Sequence, residues 1–256
     1  MDVVFDHIAF AVAEIAGCFD FMGGRLGGRP DACGPGRGFS WAQWSFARGE
    51  LLELIEGDGR PRGFVDRFLA RHGTGIHHVT FKVPDIAEAA RACRLAGYNV
   101  VGYDDANPGW KELFLHPKEA GGIVVQMAEA HPDLDEGLAD LWPFPPPGAV
   151  ARQPAAIVGL AMSAASPESA SRQWQDLLGA EVEKVEGGTT VYKWPRSPLR
   201  ISVSIDENTE PGPLGLQIKD GDPEAGTSLE TDLGRILGTR LLTARPDDSP
   251  APMAEP

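Results

Sequence analysis

The sequence predicts an α+β protein made of repeated strand–helix–three-strand (βαβββ) units: two full copies, then a degenerate, incomplete second set. Three observations predict it. The stretch from Asp6 to Ile15, DHIAFAVAEI, reads against His77 to Ile86, HHVTFKVPDI, so one pattern occurs twice. Each copy then carries a polar residue at a matching distance, Glu53 lying 46 residues after His7 and Gln126 lying 48 after His78. The same grammar restarts a third time near Ile157, beyond a proline-rich break.

The elements follow in order. Residues 3–12 alternate as a strand, with Ile8, Phe10 and Val12 on one face and Phe5, His7, Ala9 and Ala11 on the other. A short helix is expected over Glu14–Met22, ending at Gly23-Gly24, then strands over Phe39–Phe46 and Glu50–Glu56 and a helix over Phe64–His72. In the second copy Val79, Phe81 and Val83 share one strand face, while Ile76, His78 and Thr80 share the other. Asp85 is placed to cap a helix that Gly97 closes. Strands follow near Asn99–Tyr103, Lys111–Leu115 and Gly122–Ala128, the last two joined as a hairpin by Pro117–Gly121. Residues 131–154, centred on Pro143–Gly148, read as a stiff, partly extended linker. Beyond it come a strand at Ile157–Ser163, a helix from Ser166 through Leu178, and strands at Glu181–Glu186, Thr189–Trp194 and Leu199–Ile205. Leu214–Ile218 and a helix near Ser228–Leu237 open a fourth unit with no room to finish. Residues 245–256 read as a disordered tail. The expected division is therefore 1–130, a linker at 131–154, 155–244, and the tail.

Composition narrows the function. A net charge of −14 excludes a basic face for nucleic acid and a polybasic membrane contact. No apolar run approaches the roughly 20 residues that span a bilayer, and no leader-like segment opens the chain, so a cytoplasmic protein is expected. Cys18, Cys33 and Cys93 form neither a CxxC pair nor a disulfide framework. Gly23-Gly24 and Gly34-Pro35-Gly36 read as turns rather than phosphate loops.

The chemistry sits at the repeat-equivalent positions. Glu53 and Gln126 lie mid-strand among Leu52, Leu54, Val125 and Met127, where a carboxylate must be paired or bound to a cation. Two imidazoles, a carboxylate and an amide oxygen suit one divalent ion (cobalt, nickel, manganese, zinc or iron) with positions left open for substrate. The expected ligands are thus His7, Glu53, His78 and Gln126. Phe39, Trp41, Trp44 and Trp110 are candidates to line a small-molecule pocket.

At these residues the first 130 positions resemble the vicinal oxygen chelate (glyoxalase/bleomycin-resistance/extradiol dioxygenase) superfamily. That resemblance implies paired βαβββ units forming an open barrel around one divalent ion. Gly75–Val79 and Phe114–Gln126 look most like methylmalonyl-CoA epimerases. The resemblance implies ligand roles for the same four residues, with His78 preferred over His77 because it aligns with His7, and makes Lys118 a candidate for acyl-phosphate contact; His116, on the same hairpin, is a further candidate to bind substrate. Two departures stand out. Gln126 replaces the glutamate usual there and cannot accept a proton, and Gly34–Phe39 holds no carboxylate where those enzymes carry a base. Glu50 and Glu112 are the substitutes on offer, yet alternation aims neither at the metal, so no catalytic base is assigned. Gly159 and Gly215 stand where His7 and His78 do, and Ser202 near the place of Glu53, leaving the C-terminal half without ligands.

The function expected is a divalent-metal enzyme that chelates vicinal oxygens of a small organic acid or acyl thioester and stabilises an enolate, as epimerases, isomerases and lyases do. One alternative is an iron(II)-dependent dioxygenase acting on a catechol-like or keto-acid substrate. Another is a non-catalytic small-molecule binder of the resistance type. The partner expected is a small-molecule substrate, without nucleic acid or membrane, and with a homodimer as an option.

Overall fold

The computed structural model describes residues 2–134, 155–219 and 226–243. Most of the expected linker and all of the expected tail lie outside the described residues. Among those described, the strands are β1 (Val4–Ala11), β2 (Arg29–Gly36), β3 (Phe39–Ser45), β4 (Leu51–Gly57), β5 (Gly75–Lys82), β6 (Val100–Asp104), β7 (Trp110–Leu115), β8 (Val124–Ala130), β9 (Ala156–Ala164), β10 (Glu181–Glu186), β11 (Thr189–Lys193), β12 (Arg200–Ile205), β13 (Gly212–Lys219) and β14 (Leu241–Thr243). The α-helices are α1 (Phe64–His72), α2 (Ile86–Leu95), α3 (Pro167–Ser171) and α4 (Gly226–Leu237). One sheet runs β2-β3-β4-β1-β5-β8-β7-β6 and a second runs β10-β11-β12-β9-β13-β14. The architecture is α+β, a half-barrel sheet and a second sheet of the same βαβββ grammar.

Contacts divide the chain into two compact units. The first takes Met1–His7, His78–Gly137 and Leu160–Leu214. In it α2 starts at Asp85, whose carboxylate accepts the Glu88 N–H at 2.7 Å. The α2 side chains Ile86, Ala89, Ala90 and Cys93 are buried, as are Leu113 and Leu115 of β7 and Val125 and Met127 of β8. Phe81 extends this core, stacking on Phe5 at 4.9 Å and meeting Trp194 at 4.9 Å. The β7–β8 hairpin pairs Phe114 with Gln126 and Glu112 with Ala128, while β5 runs parallel to β8 with Thr80 opposite Gln126. Paired residues share a face. His78, Thr80, Gln126, Phe114, Glu112 and Trp110 therefore project to one side.

The second unit takes Ile8–His77, Leu138–Gly159 and Gly215–Pro256. Ala11, Ile55 and Val65 form a buried cluster on which Phe39, Trp41, Phe68 and Leu69 pack. Two sequence expectations are corrected here. Gly34-Pro35-Gly36 is not a turn but the end of β2, paired with Phe39–Trp41. At the edge of a sheet a strand needs few inward N–H groups, so Pro30 and Pro35 cost little. The segment Glu14–Met22 is not one α-helix but a 3-10 turn, Ala16–Cys18, running into a π-helix, Asp20–Arg25, that includes both glycines. In the first unit the helix from Ser166 likewise changes to π geometry at Arg172–Leu177.

Candidate metal centre

The three residues that strand alternation and the repeat bring forward meet in space. One ligand atom each from His7, Glu53 and His78 lies within 4.8 Å of the others. All three side chains are buried. β1 carries His7, β5 carries His78, and their rings stand edge to face at 5.8 Å between centroids. β4 carries Glu53 between the fully buried Leu52 and Leu54, which point the other way.

Two of the donors are oriented by named neighbours. His7 Nδ1 lies 2.8 Å from Asp6 Oδ2, and Lys82 Nζ lies 2.8 Å from Asp6 Oδ1. Burial pushes the Asp6 carboxyl up, but its hydrogen bonds and attraction to His7 and Lys82 outweigh that and hold it below its usual value. A carboxylate on Nδ1 leaves Nε2 as the coordinating nitrogen. Gln43 Nε2 donates to Glu53 Oε2 at 2.8 Å, the two residues being register partners on β3 and β4.

Gln126, the fourth expected ligand, lies beside the cluster. Its carbonyl accepts the Thr80 hydroxyl at 2.6 Å, and its Nε2 donates to Glu112 Oε2 at 2.7 Å. Thr80 Oγ1 also lies 2.9 Å from His7 Nε2. Both ends of the amide are thus engaged beside the cluster. A cation taken at Nε2 would displace this contact with Thr80.

His77 is not a member of the cluster. It packs against Phe64 and Phe68 of α1 at 5.5 and 4.9 Å, and burial lowers its pKa to about 4. The proposed pocket residues divide. Phe39 and Trp41 share the face of Gln43 and Glu53 but pack on the apolar cluster of α1. Trp44 pairs with Leu52 on the other face and is buried near Phe19, so it does not face the site. Trp110 does, donating its indole N–H to Glu112 Oε2 at 3.0 Å. His116 and Lys118 are exposed on the β7–β8 turn, where the Lys118 N–H bonds His116 Nδ1 at 3.2 Å. Sequence reasoning weighed Glu112 as a substitute base without aiming it at the metal, and gave Thr80 no role. Glu50, its other candidate base, is fully buried and salt-bridged to Arg48 at 2.7 Å.

The donor set fits a divalent ion: two imidazoles and a carboxylate, buried and close together, with hydrogen bonds on His7 and Glu53 that fix their orientation.

Residues 6–114 match the Glyoxalase/Bleomycin resistance protein/Dioxygenase superfamily. The ethylmalonyl-CoA/methylmalonyl-CoA epimerase of Cereibacter sphaeroides is 29% identical over 132 residues, which are 48% of this chain and 96% of that protein. The mitochondrial methylmalonyl-CoA epimerase of Mus musculus is 26% identical, over 49% of this chain and 72% of its own. The structure of a hypothetical protein from Staphylococcus aureus superposes with a TM-score of 0.58 at 12% identity, over 86% of this chain and 92% of that one, a likeness of fold. Residues 6–114 are thus similar to that superfamily, and the relatives matched over about half of the chain include proteins named as methylmalonyl-CoA epimerases.

Proposed function

We propose that the chain is a divalent-metal enzyme that binds adjacent oxygens of a small organic acid or acyl thioester and stabilises an enolate. The observation that carries this reading is the convergence of His7, Glu53 and His78 within 4.8 Å, all buried. These three would hold the ion. When bound, it would polarise the substrate oxygens and offset the charge that develops on them. Asp6 fixes the His7 ring and Gln43 the Glu53 carboxylate. Gln126 can join the ligands only by sharing its carbonyl with Thr80, so we propose it as a wall of the site rather than an obligate ligand. On the same reading residues 1–130 are the metal-binding half and 155–244 a copy without ligands.

The relatives' names suggest the first probe. Methylmalonyl-CoA incubated with the metal-loaded protein in D2O should gain deuterium at the carbon between its two carbonyls. Consumption of substrate without such labelling speaks against the enolate.

A second reading rests on one specific observation. With Gln126 tied to Thr80 and Glu112, the cluster is two histidines and one carboxylate, the set that holds iron(II) in many oxygenases. Oxygen uptake by the iron-loaded protein with a catechol or a 2-oxo acid would favour it.

A further inference from the structure

We propose that Glu112 is the proton acceptor of this site, an assignment that rests on the enolate reading above. Forming an enolate requires a base that the ion does not consume. Other carboxylates are committed: Glu53 to the donor set and Gln43, Asp6 to His7 and Lys82, Glu50 to Arg48, while Asp104, opposite Glu112 on β6, accepts the Ala106 N–H. Glu129 lies on the far side of β8, where Lys111, His131 and the Ile86 N–H bond it. Gln126 is an amide.

Glu112 differs from all of these. It projects from β7 to the same side as Gln126, Thr80 and His78. It is half-buried, so a solute can reach it. Both of its hydrogen bonds fall on one oxygen: Gln126 Nε2 at 2.7 Å and Trp110 Nε1 at 3.0 Å meet at Oε2. Two donors on Oε2 fix the carboxylate plane, and Oε1 takes no hydrogen bond from the described residues. The chain His7–Thr80–Gln126–Glu112 links this carboxylate to the donor cluster without a break, each bond 2.9 Å or shorter. Gln126 thereby acquires a role its amide can perform, holding the base in place.

In the step itself Oε1 takes the proton from the carbon between the two carbonyls. The C–H electron pair passes into the carbonyl system as the enolate, and Glu112 becomes a neutral acid. Return of a proton, from Glu112 or from solvent that has exchanged with it, restores the C–H bond and the carboxylate.

The test compares wild type with Glu112→Gln, loaded with the same divalent ion, by three readouts: metal content, thermal midpoint, and deuterium uptake into the branched malonyl thioester used above. Metal content and midpoint should be unchanged, while uptake should fall by about 100-fold or more. A Glu112→Gln protein that exchanges as fast as wild type overturns the assignment and leaves the enolate reading intact. A wild type that does not exchange sinks both. If Glu112→Gln does not fold, Glu112→Asp and Glu112→Asn make the same comparison one methylene shorter. Exchange retained by the first and lost by the second is then the expected result, and equal rates overturn the assignment.

Discussion

Gln126 is held at both ends, and that arrangement dictates how the site should answer substitution. Gln126→Ala removes the links to Thr80 and Glu112 but no member of the three-donor cluster. Metal affinity, followed by titration calorimetry, should fall by about 10-fold, the scale of losing an outer-shell contact, far short of the loss on removing a ligand. Gln126→Glu is different, because it sets a second carboxylate where the amide nitrogen now bonds Glu112 at 2.7 Å. The pair must share a proton or repel, so chemical denaturation at neutral pH should show a cost of about 1–3 kcal/mol. Exchanging the two in Gln126→Glu/Glu112→Gln should recover most of it.

How much of this was legible in the sequence depends on the strand. His7, Glu53 and His78 were legible because the repeat sets them at equivalent strand positions, and alternation separates His78 from His77. Glu112 was not. Whether it shares a face with Gln126 depends on the hairpin register, Phe114 opposite Gln126, and a one-residue slip would turn it away. Thr80 was visible on the right face, but its bond to Gln126 follows from the parallel pairing of β5 with β8, which alternation alone does not give.

At the scale of elements, α1 and most strands fell close to where periodicity put them, but β2 and the short β14 did not, and the surprises came where local geometry overrides composition. β2 reads as a turn because of Pro30, Gly34, Pro35 and Gly36, yet an edge strand accepts them. The π-helices carry no distinct signal in spacing. The turn between β7 and β8 depends on Gly122, whose φ of +81° and close approach to Pro211 leave no room for a side chain. A Cβ there would sit 1.8 Å from the Pro211 carbonyl oxygen. Gly122→Ala should therefore cost about 3 kcal/mol or more in denaturant unfolding.

The start of α2 offers a pH test. Glu129 accepts from Lys111 Nζ at 2.6 Å, from the Ile86 N–H at 2.9 Å and from His131 Nε2 at 2.7 Å. The Lys111 bond first, then those from Ile86 and His131, outweigh burial and bring its pKa down from 4.5 to about 2. Because the folded value is depressed, this stabilisation is complete above pH 4.5 and is lost as pH falls toward 2. Glu129→Gln should lower stability at pH 7 by about 1–2 kcal/mol and flatten that part of the acid-unfolding curve.

For the molecule as a whole, the chain repeats one unit but equips only part of itself. Gly159 and Gly215 stand on β9 and β13 where the N-terminal copies carry histidine, and Ser202 lies buried on β12. Among the described residues one cluster of three donors is found, and it is His7, Glu53 and His78. No helix of the described residues is long and apolar enough to cross a membrane. Fold and donor set were legible together because both follow from the repeat. The division into two compact units was not, since each draws residues from both halves of the chain.

The account stands or falls on the metal centre, and elemental analysis of the full chain beside His78→Ala tests it most directly. Both would be equilibrated with a divalent ion and freed of excess. The account predicts about one ion per chain in the wild type, since one donor cluster serves the whole chain, and nearly none in the variant, provided its thermal midpoint shows it folded. Equal metal in the two proteins, or none in the wild type, would contradict it.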